Sequence, residues 1–374
     1  MKAESAAVIS GLGCSQIGRR LHLDPLALTA DAALAAIADA GLSPDDIDGL
    51  STYPGAIGST PGISGAGVDD VRALLGLDLR WHTGGGELPG QLGSIVNAIM
   101  AIASGLAHHV LCFRTVWEST AQDRAGSRSQ VVAQSGRESL QWGKPYGAGY
   151  PTYGALAMAR YMYETGATRE QFAQLAVVSR ANAAGNPDAI HRTPMTVEEY
   201  LDARMISDPL CMFDCDVPVD GAVAFVVSRA GSANVEPAKA IAIESLGSAS
   251  GIEASADMLW SRTDLQPSDV ELAEIYDGFT IHAVEWLEGL RLIPRGETGP
   301  FIEGGKRLAL DGELPISTGG GQLSAGRLHG YGALLEACIQ LRGLGGERQV
   351  PGDPSVAVVS SGAVSFTSCL LLTH

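Results

Sequence analysis

Short apolar runs alternate with longer helical patterns along the 374-residue chain. Strand-like runs lie at residues 6–9, 49–53, 110–113 and 222–227, and again at 240–243, 272–276, 356–359 and 365–372. Between them, over 25–40, 90–104, 169–182, 279–290 and 331–342, apolar residues recur every three or four positions, the period of an amphipathic helix. Strands alternating with helices predict a layered α/β fold. In 90–104 the residues Leu92, Ile95, Val96, Ile99, Met100 and Ile102 leave almost no polar face. A helix that is apolar all round belongs inside, between sheets. The expected layers are therefore helix, sheet, helix, sheet, helix.

The chain also repeats itself. Leu42-Ser43-Pro44-Asp45-Asp46-Ile47-Asp48 is echoed by Leu265-Gln266-Pro267-Ser268-Asp269-Val270-Glu271, an offset of 223 residues. Thr83-Gly84-Gly85-Gly86-Glu87-Leu88 is echoed by Thr318-Gly319-Gly320-Gly321-Gln322-Leu323 at an offset of 235, with five of six positions identical. Both glycine runs precede an apolar helical pattern. Two echoes in the same order predict a duplicated unit. The backbone amides of the two glycine runs, 84–86 and 319–321, stand before helix starts, where amides serve as oxyanion or phosphate donors; tight turns that let helix meet sheet are the alternative.

The stretch 116–168 breaks the pattern. It is rich in Gly, Ser, Arg, Gln and Tyr and contains Trp142, Tyr146, Tyr150 and Tyr153 among glycines and prolines. Its length predicts a lid, a substrate wall or an interface, and a broad apolar pocket would suit the aromatics. Overall, 45% of residues are hydrophobic and 18% charged, a globular composition. The formal charge of −17 argues against nucleic acid as a partner. The 47 glycines cluster where the backbone must turn sharply or approach something closely. Six cysteines at 14, 112, 211, 215, 338 and 369 form no CxxC pair, so thiols in a reducing cytoplasmic setting are expected rather than a zinc site. The N-terminus reads as a first strand, residues 95–106 are too short to span a bilayer, and a soluble, cytoplasmic protein without membrane contact is expected.

The duplicated unit, the paired glycine turns and the enclosed helix together resemble the thiolase superfamily over essentially the whole chain. Asp220-Gly221-Ala222, running into Val223-Ala224-Phe225-Val226-Val227, looks like the family's strand entered through an Asp-Gly-Ala turn. Glu274-Ile275-Tyr276-Asp277-Gly278-Phe279 stands where thiolases carry an Asn-Glu-Ala-Phe motif, and Gly320-Gly321 through Gly326 where a Gly-Gly loop leads to a catalytic His. Gly362 lies near the place of their second catalytic Cys. The resemblance implies a five-layer αβαβα fold from two duplicated halves: residues 1–230, with a loop insertion at about 116–168, and residues 231–374.

The departures decide the function. The place of the nucleophilic Cys falls at about Leu88, within Leu88-Pro89-Gly90-Gln91, and the nearest cysteine, Cys112, belongs to the next strand. The catalytic His position falls on Arg327, with His329 two residues on; Ser360-Ser361-Gly362 replaces the second Cys, and Tyr276 replaces the Asn. Acyl transfer needs an activated nucleophile, and Ser94 lies one helical turn beyond the right place, so thiolase and ketosynthase chemistry are not expected. What remains is similar to the lipid-transfer-protein-like branch, whose aldolases of steroid side-chain degradation cleave a β-hydroxy acyl-CoA by a retro-aldol step. In that group tyrosines replace cysteine and histidine, and the resemblance implies Tyr276 and Tyr331 as the catalytic pair. It also implies CoA as part of the substrate, no separate cofactor or metal, a homodimer, and a heteromeric complex with a small OB-fold partner.

A retro-aldol requires a base for the β-hydroxyl, stabilisation of the thioester enolate, and an acid for the α-carbon. A phenol serves if its neighbours tune it; Arg327 and His329 are the expected neighbours of Tyr331, and Tyr276 is expected at a strand end. Asp277 is the alternative base. His282 reads as an ordinary helix residue, and His108-His109 as exposed residues before a strand. Arg124, Arg128, Arg137 and Lys144 are the basic residues available to a CoA diphosphate. A non-catalytic acyl-CoA-binding scaffold, or an acyltransferase with an unusual nucleophile, remain the competing readings.

Overall fold

The computed structural model describes residues 2–55, 62–63, 65–85, 90–125, 143–364 and 366–374. The strands are β1 (Ala7–Cys14), β2 (Gly49–Thr52), β3 (Trp81–Gly84), β4 (His109–Trp117), β5 (Met205–Ser207), β6 (Leu210–Cys211), β7 (Asp220–Arg229), β8 (Ile241–Ala249), β9 (Leu272–Glu274), β10 (Val356–Ala363) and β11 (Phe366–Thr373). The helices are α1 (Pro25–Asp39), α2 (Val68–Leu75), α3 (Gly93–Ala103), α4 (Glu118–Ala125), α5 (Tyr150–Thr165), α6 (Arg169–Ala184), α7 (Val197–Leu201), α8 (Ile252–Trp260), α9 (Thr280–Gly289), α10 (Thr298–Ile302) and α11 (Tyr331–Leu341).

Nine strands form one hydrogen-bonded order, β3-β2-β4-β7-β1-β8-β11-β10-β9. The halves of that order meet at β1 and β8, through only two residue pairs, Val8 with Ala242 and Ile9 with Ile241. Each half has the same wiring. In the first, β2 runs parallel to β4, and β7 is antiparallel to both β4 and β1. In the second, β9 runs parallel to β10, and β11 is antiparallel to both β10 and β8. Even the edge recurs: β3 lies parallel to β2, and a single parallel bridge sets Ile316 beside Ala273 of β9. Thr83-Gly84 ends β3, and residues 318–321 follow the Ile316 bridge, so the described parts of the two glycine runs stand at those two edges. The repeat in the sequence is thus a repeat in topology.

Alternation along the strands builds the layers, because successive side chains face opposite sides of a sheet. In β4, Leu111 and Phe113 pack with α1 and α2, while Val110 and Cys112 pack with α3. In β10 and β11, Ala357, Val359, Leu370 and Leu372 face the α3 and α11 layer, while Val358, Cys369 and Leu371 face α8 and α9. The middle helices are therefore enclosed from both sides, as the all-apolar pattern of α3 requires. Gly11 and Gly13 let α1 lie directly on β1: a Cβ at either would fall 2.1 or 2.0 Å from a carbonyl of α1.

Several expectations need correction. Strand β3 and helices α2 and α8 are not evident from the sequence pattern. The 116–168 stretch is not all loop, since it includes α4 and α5. Its Tyr146 and Tyr150 are 89% and 84% exposed, so they do not wall a closed pocket within one chain. The stretch nevertheless touches the site: Gly154 of α5 packs so closely on Phe279 that a Cβ there would fall 2.8 Å from the ring. His109 is buried inside β4, bonded to Ser228 at 2.8 Å, rather than exposed before the strand.

Candidate functional site

The carboxyl ends of β2, β4, β9 and β10 converge with the starts of α3 and α11. Strand β9 stops at Glu274, so Tyr276 stands two residues beyond the strand end where it was expected. Its amide donates to the Ser360 hydroxyl at 2.9 Å. Its ring folds back over Gly278 and stacks on His282 of α9, at 6.0 Å between ring centres and 29° between planes. His282 is thus part of the site. Burial holds its imidazole at a pKa of about 4, hence neutral, and its Nδ1 has no hydrogen-bond partner among the described residues.

The residues beside Tyr276 form a buried charged cluster. Arg327 pairs with Glu118, at the start of α4, and with Asp216 at 2.9 Å. Asp216 precedes β7, and its carboxylate is 10% exposed. His329, the next link, faces Glu118 at 3.6 Å and Arg114 at 3.0 Å. Arg114, fully buried on β4, also donates to the Tyr53 carbonyl at 2.9 Å and lies over the Tyr53 ring. Burial alone would drive these groups neutral; opposite charges in contact offset that cost. Burial drops Arg114 to about 10 despite the Glu118 charge, and drops His329 well below its ordinary value, with Arg114 and Arg327 adding to the effect. Burial pushes the Tyr276 phenol upward, the Asp216 charge adds to this, and Arg327 opposes it.

Tyr331 stands at the far side of this cluster. It is fully buried against Phe225, with 5.3 Å between ring centres, and its hydroxyl bonds Ser94 at 2.6 Å. Ser94 in turn bonds the Gln91 carbonyl at 3.1 Å. Burial raises the Tyr331 phenol well above its ordinary pKa. Arg327 and His329 were expected beside Tyr331. Instead Arg327 faces Tyr276, because the backbone turns sharply at Gly330, which has φ +72, and it is Ser94 that holds the Tyr331 hydroxyl. The two tyrosines share no hydrogen bond. Arg114, His329, Glu118, Arg327 and Asp216 lie in sequence between them.

Asp277 acts as a support. Its carboxylate accepts from the Gln322 amide at 2.9 and 3.1 Å and so caps the π-helical turn Gly321–Ala325. Burial lifts it to about 6, against the pull of those amides. The 319–321 glycines are explained by close approach: Cβ atoms there would meet Glu336, Ala183 and Asp277 at 2.7, 2.6 and 2.0 Å. The Gly320 amide donates to Ser317 at 2.8 Å.

Where the family's second Cys would stand, Ser361 donates to the Gln91 side chain at 2.5 Å and accepts from the Gln91 amide at 2.9 Å. Cys112 is fully buried in β4, and burial holds its thiol protonated. Cys215, next to Asp216, is pushed up to about 12 by burial and by the Asp214 and Asp216 charges, so neither offers a thiolate. Arg124 stacks on Trp117, 5.8 Å from the ring centre. Leu88, Arg128, Arg137, Trp142 and Gly86 lie outside the described residues, as does the Lys144 side chain.

Asp216 and Glu118 carry no sequence signal, being more than a hundred residues from Arg327. The one signal that could have found them is the Arg at the family's His position, since an arginine held in a core demands carboxylates.

Residues 233–373 match a family model described as thiolase C-terminal domain-like. A steroid side-chain-cleaving aldolase of Thermomonospora curvata is 33% identical, over 98% of this chain and 97% of its own. A 17-hydroxy-3-oxo-4-pregnene-20-carboxyl-CoA lyase of Mycobacterium tuberculosis is 32% identical, over 98% of each. A solved structure named Ltp2-ChsH2(DUF35) aldolase superimposes with a TM-score of 0.87 at 33% identity, over 99% of this chain and 98% of that one. The chain belongs to the thiolase superfamily, in the lipid-transfer-protein-like branch that includes these side-chain-cleaving aldolases.

Proposed function

We propose that the chain is a carbon–carbon lyase that cleaves a β-hydroxy acyl-CoA of the steroid side-chain type, releasing a ketone and a shortened acyl-CoA. The observation that carries this reading is the full-length likeness, at 33% identity, to a chain named for that cleavage. The site supports it: a phenol beside a clamped guanidinium stands where the family places its acyl-transfer residues, and the nearby thiols are held protonated.

In the step envisaged, a base takes the β-hydroxyl proton, the O–H electrons close the ketone, and the Cα–Cβ pair moves into the thioester enolate. An acid then returns a proton to Cα, so atoms and charge balance. Tyr276 is the phenol assigned to the β-hydroxyl; Arg327 beside it favours its phenolate, against the burial and the Asp216 charge that raise its pKa. Tyr331, enclosed and held by Ser94, is assigned to the enolate end, since Ser94 stands in the first turn of α3. CoA enters as part of the substrate, with no separate cofactor in the scheme.

The relative solved with a DUF35 partner supports a complex with a small OB-fold protein. A homodimer is proposed along β3, whose outer edge has no strand beside it among the described residues, since such an edge is a ready pairing surface. Among the described residues no helix is long and apolar enough to cross a membrane; the chain is proposed to work in the cytoplasm. The test is incubation of the purified chain with β-hydroxy acyl-CoA thioesters, with and without a co-expressed OB-fold partner, following ketone release. Ketone formation supports the lyase; acyl-CoA binding without ketone under either condition supports a scaffold, and an acyl-enzyme seen by mass spectrometry supports a transferase.

A further inference from the structure

We propose that Asp216 is a positioning residue of this site, whose carboxylate fixes Arg327 beside the Tyr276 phenol and thereby tunes that phenol. The inference rests on the reading of Tyr276 given above and extends it to a residue that acts through Arg327.

The geometry is that of a staple. The 215–217 segment is stitched to the tyrosine turn on one side: Cys215 pairs with Phe279 in an antiparallel bridge, and the Asp216 amide donates to the Gly278 carbonyl at 3.2 Å. On the other side it is stitched to the arginine turn: the Val217 amide donates to Gln322 at 3.0 Å, and the Arg327 amide donates to Val217 at 2.8 Å. The Asp216 carboxylate then closes the loop on Arg327 at 2.9 Å. Three residues thus fix the separation of the cation from the phenol. Glu118 takes the other end of the guanidinium, so the plane is held from both sides.

The charge pattern gives this staple a function. The groups facing Tyr276 are Arg327, Asp216, Asp277 and Tyr53, with neutral His282 stacked on the ring. Arg327 favours the phenolate, whereas Asp216 and Asp277 oppose it. Asp277 is engaged by backbone amides and lifted to about 6, so both carboxylates change charge near neutrality, and Asp216 is the one of the two that holds Arg327. Burial raises the Asp216 carboxyl to about 7, with Arg327 opposing and Glu118 adding to the rise. Its charge therefore changes near neutrality, within reach of the phenol.

The test uses the full chain with ζ-13C-labelled tyrosine, the Tyr276 resonance being identified by its loss in Tyr276→Phe. In the wild type that resonance is expected to show an inflection near neutral pH. Asp216→Asn keeps an oxygen for Arg327 but removes the charge, and the inflection should shrink to the part that Asp277 contributes. Asp216→Glu restores the charge and should restore the inflection, which keeps the test usable if the Asn variant does not fold. In the lyase assay Asp216→Asn should lower kcat about tenfold with KM within about threefold of wild type. An inflection unchanged in Asp216→Asn, or not restored in Asp216→Glu, overturns the proposal. Retained ketone release by Tyr276→Phe would instead overturn the function assigned to Tyr276, and it would do so without altering the resonance result.

Discussion

Gly278→Ala isolates the placement of Tyr276 from its chemistry. The backbone at 278 is not in the left-handed region, so an alanine meets no conformational penalty there. It meets the ring instead: a Cβ would stand 2.9 Å from Tyr276 Cε1, 3.1 Å from Cζ and 3.0 Å from the hydroxyl oxygen. Carbon atoms settle at about 3.5–4.0 Å, so the ring must retreat by roughly half an ångström to one ångström. The phenol lies at the free end of a side chain that is only partly buried, and it can swing without repacking the core. The stability cost is therefore about 1 kcal/mol or less. The kinetic cost is larger, because a displacement of this size at a reacting group costs about tenfold to a hundredfold in rate. Ketone release gives kcat, and a urea transition on the same preparation gives the stability. A kcat within twofold of wild type would refute the reasoning, since it would mean that a displaced phenol works as well as the native one.

Two further outcomes follow from the surroundings. Tyr331→Phe removes the 2.6 Å bond to Ser94 inside the middle layer; because Ser94 keeps its bond to Gln91, the loss should be about 1 kcal/mol, read from the urea midpoint at constant m-value. Glu285, on α9, is lifted by burial from its ordinary 4.5 to about 7, so the stability linked to its protonation is full below about pH 4.5 and is lost as pH rises through about 7. Glu285→Gln should accordingly gain on the wild type between pH 4.5 and 8, as measured by thermal midpoints at the two ends.

The layered architecture is readable in the sequence because it is written in short-range periodicity. The all-apolar face of 90–104 identifies an enclosed helix, and the paired Thr-Gly-Gly-Gly runs mark two equivalent edges that the strand order repeats. Strand β3 is hidden because Trp81-His82-Thr83-Gly84 has neither an apolar run nor clean alternation; its pairing with β2, not its own composition, makes it a strand. Helix α5 is masked by Tyr150, Pro151 and Gly154, although a proline in the first turn is a helix-start signal. At the site, Tyr276 and Tyr331 stand out by their relation to motifs. The cluster that separates them does not, since Arg114 with Glu118, Asp216, and Arg327 come from three distant segments and meet only through the fold. The assignment of Arg327 to Tyr331 failed for the same reason: adjacency in sequence is undone by the turn at Gly330.

The central claim is that a thiolase-type fold here moves protons with a phenol in place of a thiolate. The measurement that tests it most directly is ketone release from a β-hydroxy acyl-CoA by the wild type and by folded Tyr276→Phe, with intact-mass analysis of both during turnover. Turnover by the wild type, a loss of at least about a hundredfold in the variant and no acylated chain in either are the predicted results. Undiminished ketone release by the variant, or an acyl group carried on a cysteine, would contradict it.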